Sequence, residues 1–266
     1  MSDRVEVVPY IATVLDEQDA YRQAPPSVLP RAVRSVAAPF SALTNRLIPA
    51  EVVEAAIRGA DWVAAASIRN RTLAHDFSEI RACDLAADEV RRWTLGYAVT
   101  GGGAAGALGA AGLVFDIPAT ITLALRTARL TGLAYGFGGD GSREQTYILD
   151  ILQLAGANSR AERDAALENL AAGRAEFARE DWQRISEMTG HASGTVAATR
   201  RVAIVLGINL STRKVAQVAP VVGAAIGAGV NAAFQNDVAM AAKFAFRARW
   251  LELNEGIVEA SAVDPI

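Results

Sequence analysis

Three groups of residues in this chain have types and spacings suited to chemistry. Gly101, Gly103 and Gly106, in YAVTGGGAAGALGAA, match G-x-G-x-x-G literally. Glycines so spaced let a backbone approach a pyrophosphate at a helix N-terminus. In Gly190-His191-Ala192-Ser193-Gly194 a histidine lies near a serine between glycines. The third group is Asp116, Arg126, Asn231, Asp237, Arg247 and Arg249, polar residues on or beside otherwise apolar helical stretches. A charge taken out of water there has to be paired or it costs several kcal/mol.

The first two groups lack the partners their chemistry needs. A dinucleotide fold requires a second strand ending in an acid about 20 residues on, whereas residues 117–137 read as helix. His191 and Ser193 do not form G-x-S-x-G and fit a polar turn. His75-Asp76 has no second histidine at helical spacing, and neither H-E-x-x-H nor a phosphate-binding G-x-x-x-x-G-K-[ST] occurs. With one cysteine, Cys83, and two histidines, no structural zinc site and no intrachain disulfide is expected. No catalytic residue, cofactor or metal ligand is therefore assigned. For the polar set, the plain expectation is N-caps and salt bridges within a bundle, with Asp116 paired to an arginine of the last helix. The sharper one has Arg247 and Arg249 receive an anionic headgroup.

The elements that must position these residues all read as helices. Residues 10–23 are amphipathic and end at Pro25-Pro26, and residues 31–46 begin another helix after Pro30. Pro49 opens a long helix in which Val53, Ile57, Ala60, Ala64, Ile68 and Arg71 recur at helical spacing. Asp84 reads as the N-cap of DLAADEVRR, with Glu89 in the first turns. Asp116-Ile117-Pro118 reads as the start of the helix PATITLALRTARLTGLAYGF, broken by Gly136, Gly138, Gly139 and Gly141. The amphipathic REQTYILDILQLAGA follows, then a polar helix capped by Asn158 or Ser159, then further helix from Ser193 to Glu255 around Pro220. No segment alternates with period two, so the expected fold is an all-α multi-helix bundle with no sheet.

Between Arg92 and Asp116 lies the uncharged run WTLGYAVTGGGAAGALGAAGLVF. About 20 such residues span a bilayer, but alanine and glycine dilute its apolar content. Close helix packing fits better, through Gly102 with Gly106 and Ala105 with Gly109 at four-residue spacing. A second run, VAPVVGAAIGAGVNAAFQ, repeats this with Gly223 and Gly227, and the two runs pair in the expected fold. Gly101-Gly102-Gly103 would cost about 1 kcal/mol per residue inside a helix, so a bend or turn is expected there.

These residues carry a resemblance. GGGAAGALGAAGLVFDIPATITLALRTARLTGLAYGF, followed by APVVGAAIGAGVNAAFQNDVAMAAKFAFRARWL, resembles the EcsC protein family over roughly residues 50–255. The resemblance rests on the Gly-rich approach to Asp116-Ile117-Pro118, the pairs Leu125-Arg126 and Tyr135-Gly136, and Pro220, Gly223 and Asn231 ahead of Phe246-Arg247-x-Arg249. It implies a bacterial protein linked to a transporter operon concerned with secretion and membrane physiology, and supplies no reaction. The implied organisation is an N-terminal helical extension (1–48), an EcsC-like helical domain (49–256) and a C-terminal tail (257–266).

Composition narrows the function. A net charge of −3 gives no global field for nucleic acid. The N-terminal MSDRVEVVPYIATVLDEQDA lacks a charged-then-apolar leader, because acids interrupt it, so a cytoplasmic location is expected. The leading expectation is a non-catalytic helical protein, peripheral at the cytoplasmic face of the inner membrane. It would bind membrane lipid or a membrane protein through its Gly/Ala-rich helices. The alternative is a helical hydrolase of lipid or peptide bonds, with Asp116 and Ser193 as the residues to test. The small-residue faces also suit a homo-oligomer.

Overall fold

The computed structural model describes residues 3–26, 50–68, 71, 73–107, 112–139, 141–178, 199 and 223–254. Within them the fold is all-α and without strands, in seven helices: α1 (Asp3–Gln23), α2 (Ala50–Ile68), α3 (Ile80–Ala107), α4 (Gly112–Ala134), α5 (Ser142–Gly156), α6 (Arg160–Ala178) and α7 (Gly223–Leu253). The helices expected over 31–46 and from Ser193 to Pro220 lie outside the described residues.

The longest helices, α3 and α7, run antiparallel and make the most extensive contact in the fold. Cross-links fix their register: Asp84 with Arg247, Asp88 with Lys243, Arg91 with Asn236, and the Ala98 carbonyl with Asn231. Carried forward, this register brings the Gly-rich end of α3 to the Gly-rich start of α7, as the expected pairing of the two runs requires. Helix α4 runs antiparallel to α3, through Thr94 with Thr127, and parallel to α7, through Gln235 with the Thr120 carbonyl.

The remaining helices wrap this trio. From Tyr147 to Ala157 every residue around α5 is buried, as befits a helix enclosed on all sides. Tyr147 donates to the Ala245 carbonyl at 2.9 Å. Helix α6 covers α5 with Ala166 and Leu170 and turns Arg163 inward, where it donates to the Tyr21 carbonyl and lies over the Tyr21 ring. Its cap is Ser159, whose Oγ accepts the Glu162 N–H at 3.2 Å while Glu162 reaches back to the Asn158 N–H. Helix α2 lays Ile57, Ala60, Ala64 and Ile68 against α4. Helix α1 inserts Ile11 and Val14 into the same core, and its Gln18 donates to the Phe244 carbonyl.

Three boundaries differ from expectation. Helix α3 continues through Gly101-Gly102-Gly103 to Ala107 without a bend or turn, and the G-x-G-x-x-G glycines therefore lie in its last two turns, at a helix C-terminus with no strand before them. Helix α4 starts at Gly112, so Asp116 is an interior residue rather than its cap. Pro118 sits exposed in the second turn, where its missing N–H forfeits one backbone bond and its ring meets solvent. Helix α2 stops at Ile68, which leaves Arg71 exposed beyond it. The expected break at Gly136 does occur. With φ of +84°, Gly136 closes α4 as its N–H bonds the Leu133 carbonyl and the Phe137 N–H bonds that of Gly132.

Two glycines separate close packing from idle flexibility. A Cβ at Gly132 would lie 2.7 Å from the Phe246 ring and 2.9 Å from the Phe137 carbonyl, whereas one at Gly96 would meet nothing within 4 Å. Gly132→Ala should therefore lose about 1–3 kcal/mol, and Gly96→Ala should gain about 0.5–1 kcal/mol. Urea denaturation followed by circular dichroism checks both, and equal midpoints for the two variants would refute this account of the α4–α7 contact.

Candidate functional site

Helix α3 turns a face of Ile80, Cys83, Asp84, Ala87, Thr94 and Ala98 inward at helical spacing. One member of that face is a carboxylate. Asp84 is 2% exposed and lies in the second turn of the helix, which corrects its expected role as an N-cap. The turn ahead of α3 is held by Asp76, whose Oδ1 accepts from the Ser78 N–H and hydroxyl. Asp84 is instead gripped by Arg247, with Nε donating to Oδ1 at 2.9 Å and Nη2 lying 2.8 Å from Oδ2. Tyr135, just past α4, donates to Oδ1, and Tyr10 of α1 donates to Oδ2 at 2.6 Å. The free edge of Arg247 donates to Glu17 at 2.7 Å. Four segments thus meet on one buried carboxylate.

Electrostatics follow from that geometry. Burial pulls the Arg247 guanidinium down, but Tyr135, Asp84 and Glu17 outweigh it and hold the group above its ordinary value. The phenols of Tyr135 and Tyr10 are raised, first by burial and then by the Asp84 carboxylate. Cys83, beside Asp84, is pushed up to about 12, chiefly by burial, which suits a packing residue rather than a nucleophile.

The other expected site residues do not converge on this hub. Arg249 is held by Glu144 at 2.9 Å and lies over the rings of Phe177 and Phe137, 3.6 and 4.1 Å from their centroids. Arg247 and Arg249 are thus both engaged by protein carboxylates. Asn231 joins Thr120 to the Ala98 carbonyl. Asp237 sits on α7 close enough to Tyr21 to raise its phenol, behind the larger effect of burial. Gly102 and Gly106 lie within α3, and Gly223 and Gly227 within α7. The Asp116 side chain, Gly109, His191 and Ser193 fall outside the described residues. A second buried network, absent from the expectations, joins Asp61 to Arg129 at 2.7 Å and to Gln145 at 2.7 Å.

Arg126 behaves differently. Its guanidinium lies 4.6 Å from the Trp93 ring centroid, its Nε is buried without a hydrogen-bond partner, and no carboxylate faces it among the described residues. Its pKa is lowered by burial and then by the charge of Arg71. The Trp93 and Tyr97 rings lie 4.2 Å apart, tilted by 40°, and the two residues are 36% and 55% exposed. Arg126, Trp93 and Tyr97 form a polar-aromatic patch where α3 enters its Gly-rich end. Among the described residues no cluster of histidine, cysteine and carboxylate side chains suits a metal ion.

The family model described as the EcsC protein family matches residues 18–251. The chain belongs to the EcsC protein family. No curated protein and no solved structure matches it. The EcsC match includes Asp84, Tyr135 and Arg247 of the hub but begins after Tyr10 and Glu17. It also contains the whole Arg126–Trp93–Tyr97 patch.

Two measurements test the hub of this EcsC-family chain. Asp84→Asn should cost roughly 3–5 kcal/mol by stranding Arg247, and the double variant Asp84→Leu, Arg247→Met should lose much less than the sum of its singles in urea denaturation; additive losses would show the pair uncoupled. The raised phenols of Tyr10, Tyr21, Tyr135 and Tyr147 predict stability that is full below the unfolded phenol pKa of about 10 and is lost as pH rises above it. Phenolate absorbance of the folded protein should accordingly lag that of the unfolded chain above pH of about 10, and coincident curves would count against this burial.

Proposed function

We propose that this EcsC-family protein is a non-catalytic helical module of the cytoplasmic membrane face, binding lipid or a membrane-protein partner at the Gly/Ala-rich ends of α3, α4 and α7. The observation that carries the reading is the patch at the root of those ends. Tryptophan and tyrosine favour the boundary between water and hydrocarbon, where a flat apolar body and a polar edge are both satisfied. An arginine stacked on the indole, with no carboxylate facing it among the described residues, adds attraction for an anionic headgroup.

No helix among the described residues is long and apolar enough to cross a membrane, so the contact is read as lying on a surface rather than spanning. Glycine and alanine add little apolar area of their own. In this reading they let helices pack closely while the aromatics supply most of the contact energy.

Co-sedimentation with vesicles of mixed phosphatidylcholine and phosphatidylglycerol at low salt tests the reading. Wild-type protein should pellet with the vesicles. The exposed substitutions Trp93→Ser and Tyr97→Ser together should weaken binding about tenfold or more, a loss of about 1.4 kcal/mol. Arg126→Gln should erase the preference for the anionic lipid. Recovery of the wild-type protein wholly in the supernatant would overturn the proposal.

A further inference from the structure

The end of the bundle remote from the Gly-rich runs carries a different feature. The last turns of α4 and α7, the residues that follow α4, and Arg71, Leu73 and Phe77 surround an open pocket of about 520 Å³, within the size range of small-molecule sites. Its walls are mainly apolar: Leu73, Phe77, Leu133, Trp250 and Leu253. The base is set in place by hydrogen bonds, since the Trp250 indole N–H donates to the Phe77 carbonyl at 2.7 Å and a ring nitrogen of His75 lies 2.8 Å from the Ala134 carbonyl. Tyr135, also in the wall, has its hydroxyl committed to Asp84. Phe77 and Leu253 remain 38% and 61% exposed.

One cation stands in this lining. Arg71 is exposed and faces no carboxylate among the described residues. Its situation contrasts with Arg129, Arg174, Arg247, Arg249 and Lys243, each held by an acid. Arg71 also lies close enough to Arg126 to disfavour that cation, behind the larger effect of burial. Two guanidinium groups that repel each other, with no acid between them among the described residues, are relieved by a bound anion. An apolar pocket beside them is suited to the hydrocarbon body of that anion.

We propose that this pocket binds a single-chain, monoanionic amphiphile of the fatty-carboxylate class, the carboxylate on Arg71 and the chain against Leu73, Phe77, Leu133, Trp250 and Leu253. One fork-shaped donor matches one carboxylate, and the open mouth admits a chain end-on from solution. The pocket lining shares no residue with the Arg126–Trp93–Tyr97 patch, although Arg71 lies within electrostatic reach of Arg126, and binding in it does not depend on membrane contact.

Isothermal titration of the full chain with decanoate, kept below its micelle concentration, tests the proposal, with decanol and decyltrimethylammonium as neutral and cationic probes. Saturable binding of one decanoate per chain is expected, with decanol about tenfold weaker and the cation weaker still. Arg71→Gln and Leu253→Asp alter exposed side chains outside the buried networks, and each should weaken decanoate about tenfold while leaving the thermal midpoint unchanged; Leu253→Asp, away from Arg126, should also leave vesicle binding unchanged. Absence of saturable decanoate binding overturns the proposal. So does equal binding of decanol and decanoate with Arg71→Gln without effect, because the cation would then recognise nothing. Decanoate binding by a protein that ignores vesicles would sink the membrane reading and leave this one standing.

Discussion

A carboxylate buried at 2% exposure has to keep its counter-charge, and much of this fold is arranged around that requirement. The two-point grip of Arg247 on Asp84 fixes both the separation and the register of α3 and α7. Tyr135 can reach the same carboxylate only if α4 ends where it does, and Tyr10 only if α1 lies across the pair. A slip of one residue along either long helix would rotate a charge by about 100° about the helix axis and leave it alone in the core. Hydrophobic burial supplies the larger stabilisation, but it is non-directional. The buried ion pair selects one arrangement among those that would bury similar area.

Alanine makes that arrangement possible. Ala98, Ala124, Ala128, Ala241, Ala242 and Ala245 are all fully buried, so helix backbones come within reach of side chains on their neighbours. Asn231, Gln235, Tyr147 and Gln18 each donate to a main-chain carbonyl of another helix. These bonds use lone pairs left over by the helix ladder, and they satisfy buried polar groups without a further charge.

How legible this was depended on whether a signal was local. Helix existence, the Ser159 cap and the stop at Gly136 are short-range chemistry and were readable from the chain. Arg247, Arg249 and Asn231 stood out because polar side chains in an apolar helix need partners. Their partners did not, since Glu144 and Asp84 precede Arg249 and Arg247 by 105 and 163 residues. Asp84 was misread for a physical reason: DLAADEVRR has the local form of a capped start, and only the tertiary fold shows the helix already running from Ile80. Asp61 was hidden in the same way, its partners Arg129 and Gln145 being 68 and 84 residues on. At Gly101-Gly102-Gly103 propensity argued for a bend, yet the helix continues, as tertiary packing commonly overrides propensity. That Arg126 and Arg71 face no acid among the described residues is likewise a tertiary property, with no local signal in the chain.

The separation of 163 residues between Asp84 and Arg247 also bears on the order in which the molecule assembles. Helices α3 to α6 are joined by short connections and can associate while the chain is still being synthesised, since local contacts close at small entropic cost. Throughout that period Asp84 has only phenols and water to face. Its counter-charge, on α7, is synthesised 163 residues later. Sealing the core before then would bury a lone carboxylate, so the early helices are held open by electrostatics until α7 arrives. The ion pair that sets the register of the finished bundle thus acts beforehand as a timer, delaying closure until α7 has been made.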